Sequence, residues 1–364
     1  EDNSAFAVGV LLSLFIHSPQ LMLSSSIQIS AASLIGVATY FLVYAVYMHQ
    51  RLHKLILSQK KLENEQKWHK IRAYKLSRYL PPTVWQAINR GDDKHLQAER
   101  KRISVFFSDI KDFSQLSEEI EAEALTELLN HYLTEMSKIV AHYGGTIDKF
   151  MGDGIMVLFG DSASKGVKDD ATRCVSMAIA MKKRIKSMQV EWFNQGIKKP
   201  LQVRMGINTG YCTVGTFGTS NHLDYTVLGT QVNLASRLES ACKAYSARIL
   251  ASETSVAKFN GTYRMRDIDL VVVKGKTAPV RVFELLDYHD AQTFPAMRDV
   301  LGHFEDGMIA YRAARWDEAI IRFEKCLSLN PGDGLSRTYI DRCRVMQASP
   351  PQGDWDGVWV MKDK

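Results

Sequence analysis

The chain has 364 residues, 46% hydrophobic and 24% charged, with a formal net charge of +6. That balance is ordinary for a folded protein, and the length fits one large domain with attachments or two to three modules. The mild positive charge comes without a long Lys/Arg run, so nucleic acid is not expected as a partner.

The chain opens on Glu1 without a Met, which reads as part of a longer or processed protein. A short apolar run at residues 5–16 is broken by His17, Ser18 and Pro19. Residues 27–48 (IQISAASLIGVATYFLVYAVYM) are then uncharged for about the length of a bilayer crossing. No basic stretch precedes them, so a secretory signal fits poorly. Arg51, His53, Lys54, Lys60 and Lys61 follow, as on the cytoplasmic flank of a membrane helix. Residues 1–49 are therefore expected to hold one or two transmembrane helices in a plasma or inner membrane, with everything after about residue 50 cytoplasmic. Residues 50–82 read as a linker helix. Leu55, Leu62 and Leu76 recur at multiples of seven, a weak heptad over few turns that leaves a coiled coil and a single exposed helix both open, and Pro81-Pro82 end the pattern. Residues 83–101 form a connector between this helix and an αβ region.

Residues 102–288 alternate strand and helix patterns. An apolar strand at 103–107 leads to a helix at 122–142, where Leu125, Leu128, Leu129, Tyr132, Leu133 and Met136 share a face. Strands at 146–150 and 155–159 flank the turn Met151-Gly152-Asp153-Gly154. A helix at 170–193 comes next. Two strands, 203–208 and 212–217, are expected around a turn at Thr209-Gly210. A helix at 231–244 and strands at 271–273 and 280–285 close the region. Strand, helix, hairpin, helix, strand is an α+β order, the ferredoxin-like βαββαβ arrangement with additions. In residues 289–364, Phe304, Gly307, Tyr311, Ala319, Phe323 and Pro331 have the spacing of a short helical hairpin resembling one tetratricopeptide unit. One such unit cannot bury its own face, so it should cap the preceding domain, pair with another subunit or bind a protein. Trp355 and Trp359 in the tail read as a packing strap.

The five cysteines are odd in number, irregularly spaced and without a CxxC pair. Reduced thiols fit better than a disulfide framework or a structural zinc site. His131, His142 and His222 have no partner motif and read as structural. The chemistry points instead to two carboxylates. Asp109 ends a strand in FFSDIKDF, and Asp153 sits at the hairpin tip in KFMGDG. Two carboxylates at one sheet edge attract divalent metal ions, and Mg²⁺ takes few protein carboxylates besides substrate phosphates.

With those motifs, residues 102–288 resemble the class III adenylyl cyclase catalytic domain, and LDYTVLG, VNLASR and VKGK match further motifs in the same order. The resemblance implies that Asp109, Asp153 and the Ile110 backbone hold two divalent ions, Mg²⁺ or, in vitro, Mn²⁺. It implies that backbone amides from Ile110 through Phe113 cradle the triphosphate, and that Lys149 and Thr226 read adenine. Asn233 and Arg237 take the transition-state positions, and Lys274, with Lys276 as the alternative, a terminal-phosphate position. Lys149 is a pure donor and suits adenine N1, an acceptor, where guanine presents a donor. ATP is therefore the expected substrate and cyclic AMP with pyrophosphate the products. Thr rather than Asp at 226 resembles the b subgroup of the class. In the family, metal aspartates and the Asn/Arg pair reach one site from opposite subunits, which implies a homodimer. One departure is Asp112, where the family usually has Gly. A diguanylate cyclase would carry a GG[D/E]EF hairpin, which is absent. A catalytically silent scaffold, or an unrelated two-metal phosphatase or nuclease, is the further alternative.

Overall fold

A computed structural model of the chain describes residues 25–91, 96–161, 164–271, 279–351, 355 and 357–359, with backbone only at 25–32, 34, 358 and 359. The chain divides into two compact units, Glu1–Tyr79 and Leu80–Lys364. The first is carried by one helix, α1 (Ser25–Ser77). It runs on past residue 50 because nothing after Gly36 breaks it before Pro81. Among the described residues no helix is long and apolar enough to cross a membrane. The expected span at 27–48 thus has no counterpart there. Its described part includes Thr39, Tyr40, Tyr44 and Tyr47, which dilute the apolar run, and most side chains before residue 35 lie outside the description. The apolar run at 5–16 lies outside it as well. Ile35, Phe41, Leu42, Leu55, Leu62 and Leu76 are all exposed on this helix.

The second unit opens with α2 (Pro82–Arg90), which starts on Pro82 and stops at Gly91 in the left-handed region. Its centre is a mixed sheet. Strands β1 (Glu99–Ile110), β2 (Thr146–Met151), β3 (Gly154–Phe159) and β4 (Val203–Thr219) lie in the order β2-β3-β1-β4, antiparallel throughout. Helices α3 (Phe113–Glu119), α4 (Ala122–Tyr143) and α5 (Val167–Asn194) make the connections. This is the ferredoxin-like arrangement. The sheet continues through β6 (Ile249–Ser252), β8 (Val280–Leu285) and β7 (Met265–Val271), while β5 (His222–Leu228) folds back on β4.

One expectation is overturned. Residues 203–219 form a single 17-residue strand, and the hairpin falls beyond it, between Thr219 and His222. Gly210 marks a close approach instead of a turn: a Cβ there would lie 2.6 Å from the Gln231 side chain. The strand expected at 271–273 begins earlier, as β7, and residues 272–278 lie outside the description.

The two sides of the sheet carry different cores. On one side α4 and α5 bury Leu128, Met136, Met177 and Trp192 against Phe106, Val203 and Met205. On the other, α6 (Thr230–Ala241) covers Ile103, Val105 and Cys212 with Val232 and Ala235. A further core joins Leu234 and Leu238 of α6 to the C-terminal helices α8 (Met297–Arg312), α9 (Trp316–Leu329) and α10 (Gly334–Ala348). A short helix, α7 (Glu253–Val256), follows β6. The expected helical pair is present as α8 and α9, and α10 adds a third helix that the sequence pattern had not marked. These helices cap the sheet. Arg266 of β7, buried, bonds Asp333 and Glu284, and Arg342 of α10 bonds Asp269. Trp355 rests on Tyr311 and Trp316, and β9 (Val358–Trp359) pairs in parallel with β7. The five cysteines are buried and unpaired. His131 accepts a hydrogen bond from Trp192 Nε1 and serves packing.

Candidate active site

The register of β1 against β3 pairs Ser108 with Ile155, so the end of β1 meets the β2–β3 hairpin. This brings Asp109 and Asp153 together as the sequence implied. Asp153 Oδ2 accepts from Ile110 N at 2.9 Å. Burial, and next the Asp109 charge, push the Asp153 carboxyl up to about 6. Two residues that the sequence reading missed share the site. Asp109 pairs across the sheet with Arg204, whose Nη2 donates to Asp109 Oδ2 at 2.7 Å. Arg204 Nε lies 3.0 Å from Glu239 Oε1 of α6, an ion pair too bent to be a hydrogen bond. Burial raises the Glu239 carboxyl to about 6, against the pull of Arg204.

These residues fit a divalent cation. The one guanidinium, Arg204, pairs with Asp109 and Glu239 and not with Asp153, so negative charge stays uncompensated at the Asp109–Asp153 edge. Among the described residues no group of three or more His, Cys, Asp or Glu is placed to hold a metal ion, so the aspartate pair would need substrate oxygens to complete a site. Few protein carboxylates with room for phosphate oxygens is the pattern of Mg²⁺.

A second cluster lies on β2 and β5. A bulge in β2 falls between Ile147 and Lys149, where the pairing shifts by one residue. Neighbours on a regular strand point to opposite faces; the bulge lets Asp148 and Lys149 turn together. Lys149 Nζ lies 3.1 Å from Asp224 Oδ2 and 3.5 Å from Asp148 Oδ2. On β5, Tyr225 is fixed by its hydroxyl on Asp161, and Thr226, next along the strand, donates to Asp148 Oδ2 at 2.9 Å. Lys149 and Thr226 are thus brought together through Asp148.

Asn233 and Arg237 share helix α6. At about 100° per residue they lie about 40° apart, on one face. Glu239, which reaches toward Arg204 and Asp109, lies about 200° from Arg237 on the same helix. Arg237 therefore faces away from the aspartates of its own chain. Asn233 is exposed and Arg237 half-buried. Helix α6 sits hard on β4: a Cβ on Gly206 would come within 2.2 Å of Ala235 O.

Of the amides expected to cradle phosphate, Ile110 N is engaged by Asp153 and Lys111 N by Gln202 O at 2.7 Å. Phe113 packs against the α4–α5 core. Asp112 stands in the left-handed region with φ of 56°, which explains a family preference for Gly there. Its carboxylate is half exposed and lies 3.8 Å from Lys111 Nζ. Lys274 and Lys276 lie outside the described residues. A surface groove along α4, lined by Glu123, Glu127, His131 and Glu135 among others, shares no residue with either cluster.

The family model for the adenylate and guanylate cyclase catalytic domain matches residues 96–287. The terminal-differentiation-specific adenylate cyclase of Dictyostelium discoideum is 34% identical over 267 residues, which are 72% of this chain and 12% of that protein. The adenylate cyclase of Anabaena cylindrica is 34% identical over 192 residues, 52% of this chain and 37% of its own length. The chain thus spans well under half the length of these relatives. Among solved structures, the adenylyl cyclase CyaB from P. aeruginosa is 54% identical with a TM-score of 0.50, over 53% of this chain and 97% of that one.

Proposed function

The chain belongs to the family of adenylate and guanylate cyclase catalytic domains, and from that premise we propose that it is an adenylyl cyclase, converting ATP to 3′,5′-cyclic AMP and pyrophosphate as a homodimer. The observation that carries the dimer is the opposed placement on α6 of Glu239, beside the chain's own aspartates, and Arg237, turned away from them. Each site then takes Asp109 and Asp153 from one chain and Lys149, Thr226, Asn233 and Arg237 from the other, and two equivalent sites form.

Asp109 and Asp153, with the Ile110 backbone, would hold two divalent ions, Mg²⁺ or in vitro Mn²⁺, which when bound would supply Lewis-acid activation of the ribose 3′-hydroxyl and neutralise phosphate charge. Lys149 donates to adenine N1, and Thr226 accepts from the exocyclic amine. Asn233 orients the ribose, and the planar fork of Arg237 takes the charge that develops at the α-phosphorus. Lys274, with Lys276 as the alternative, is assigned the terminal phosphate. The names of the relatives support ATP over GTP, as does a lysine at position 149.

Equal mixing of Asp109→Ala and Arg237→Ala chains tests the arrangement. Each variant alone should be inactive, and the mixture should regain about a quarter of wild-type turnover, because half of the dimers are mixed and each of those keeps one of its two sites. No rescue where mixed dimers demonstrably form would overturn it. Membrane attachment through residues 27–48, with the catalytic unit on the cytoplasmic side, is a separate proposal. It rests on the uncharged run, the basic residues after it and the exposed apolar side chains from Ile35 to Met48. Recovery of the protein in the soluble fraction of broken cells would refute it. The b-type assignment rests on Thr226, and the resemblance of α8 and α9 to a tetratricopeptide unit rests on residue spacing.

A further inference from the structure

The Asp148 carboxylate is 1% exposed and takes no part in the chemistry described above. It receives the Thr226 hydroxyl hydrogen at 2.9 Å, and Lys149 Nζ lies 3.5 Å from the same oxygen. Thr226 is itself buried, at 8% exposure. A threonine hydroxyl has one hydrogen and two lone pairs, and by rotating it can donate or accept. An ionised carboxylate can only accept, so this contact commits the hydrogen. Burial pushes the Asp148 carboxyl upward, and the Thr226 hydrogen bond and the Lys149 charge oppose that.

We propose that Asp148 is a positioning residue for base selection: by holding the Thr226 hydrogen, it leaves only lone pairs toward the base and so favours adenine over guanine. Adenine offers an amine donor at its C6 position, and guanine offers an oxygen acceptor there. A fixed acceptor at Thr226 bonds the first and opposes lone pairs to the second. Released from Asp148, the same hydroxyl would rotate and donate to guanine. Asp148 thereby gives a neutral threonine the polarity of an acidic side chain. The inference rests on the adenylyl cyclase reading and on the placement of Thr226 within it.

The test compares kcat/KM for ATP and GTP. In Asp148→Ala the ATP preference should fall about tenfold or more, since a site whose hydrogen-bond polarity is fixed discriminates strongly. Asp148→Val, apolar and suited to a strand, serves where the alanine variant does not fold. The double variant Asp148→Ala with Thr226→Asp should regain the ATP preference, because a carboxylate at 226 accepts without being oriented. A purely structural role for Asp148 predicts equal losses for both nucleotides and no such rescue. An unchanged ATP-to-GTP ratio in the single variants, or no rescue in the double variant, overturns the inference. If the unaltered chain does not cyclise ATP, the activity reading fails by itself. The ratio of dissociation constants for the α-thio analogues of ATP and GTP, measured by displacement of a fluorescent nucleotide, then decides the role of Asp148 by the same outcomes.

Discussion

Asp153 carries an electrostatic cost that a metal-free chain must bear. Its carboxyl is raised from 3.8 to about 6, first by burial and then by Asp109. An acid raised on folding binds its proton more tightly in the folded chain. Its penalty is therefore absent below about pH 4, grows as pH rises to about 6, and persists above. Asp153→Asn keeps an oxygen for the Ile110 amide and removes the charge. Without metal near neutral pH, that variant should melt a few degrees above wild type, and added Mg²⁺ or Mn²⁺ should raise its melting temperature less than that of wild type. A lower melting temperature than wild type in metal-free buffer would refute this account. Asp109, Asp153, Lys149 and Thr226 were legible because each lies in a short motif whose neighbours announce it. Arg204 and Glu239 were not, since only the β1–β4 register and the crossing of α6 place them against Asp109. Asp148 was hidden by its own neighbour, because strand alternation sends it and Lys149 to opposite faces unless a bulge intervenes.

Among the elements, β4 and α6 decide the geometry of the site together. Gly210 looks like a turn residue in the sequence, yet it stands with Gly206 inside one strand beneath a helix. They differ in what a side chain would meet. A Cβ at 206 would run into Ala235 O and Glu239 N, at 2.2 and 2.4 Å, and backbone cannot give way. At 210 it would meet the Gln231 side chain, which can shift only by giving up the hydrogen bond that its Oε1 accepts from Asn208. Gly206→Ala should therefore cost about 1–3 kcal/mol or more and lower turnover by shifting Arg237. Gly210→Ala, which displaces a side chain and no backbone, should cost clearly less in both. Urea titration and turnover of the two variants check the contrast, and equal effects would show that α6 is not seated by Gly206. The periodic helices α4 and α5 and the β2–β3 hairpin were readable because apolar spacing and Gly-flanked turns are local signals. The length of β4 was not, because a glycine that admits a helix and a glycine that turns a chain look alike in one dimension.

In the Leu80–Lys364 unit as a whole, the C-terminal helices belong to the catalytic sheet. The sequence showed an amphipathic pair and left its partner open. The fold supplies that partner through buried charges, Arg266 with Glu284 and Asp333, and Arg342 with Asp269, which as isolated letters read as surface residues. Arg266→Ala would strand two buried carboxylates and should cost about 3–5 kcal/mol, measurable by denaturant unfolding. A loss under about 1 kcal/mol would mean that the buried carboxylates shed their charge or reach water. Helix α6, which carries Asn233 and Arg237, packs Leu234 and Leu238 into the core that α8, α9 and α10 complete. This order of assembly bears on how the chain is made. During synthesis every nucleotide-binding motif leaves the ribosome well before residues 316–359, on which the support of α6 and the final strand beside β7 depend. A nascent chain halted near residue 290 would hold all the recognisable motifs and still be open to protease across α6.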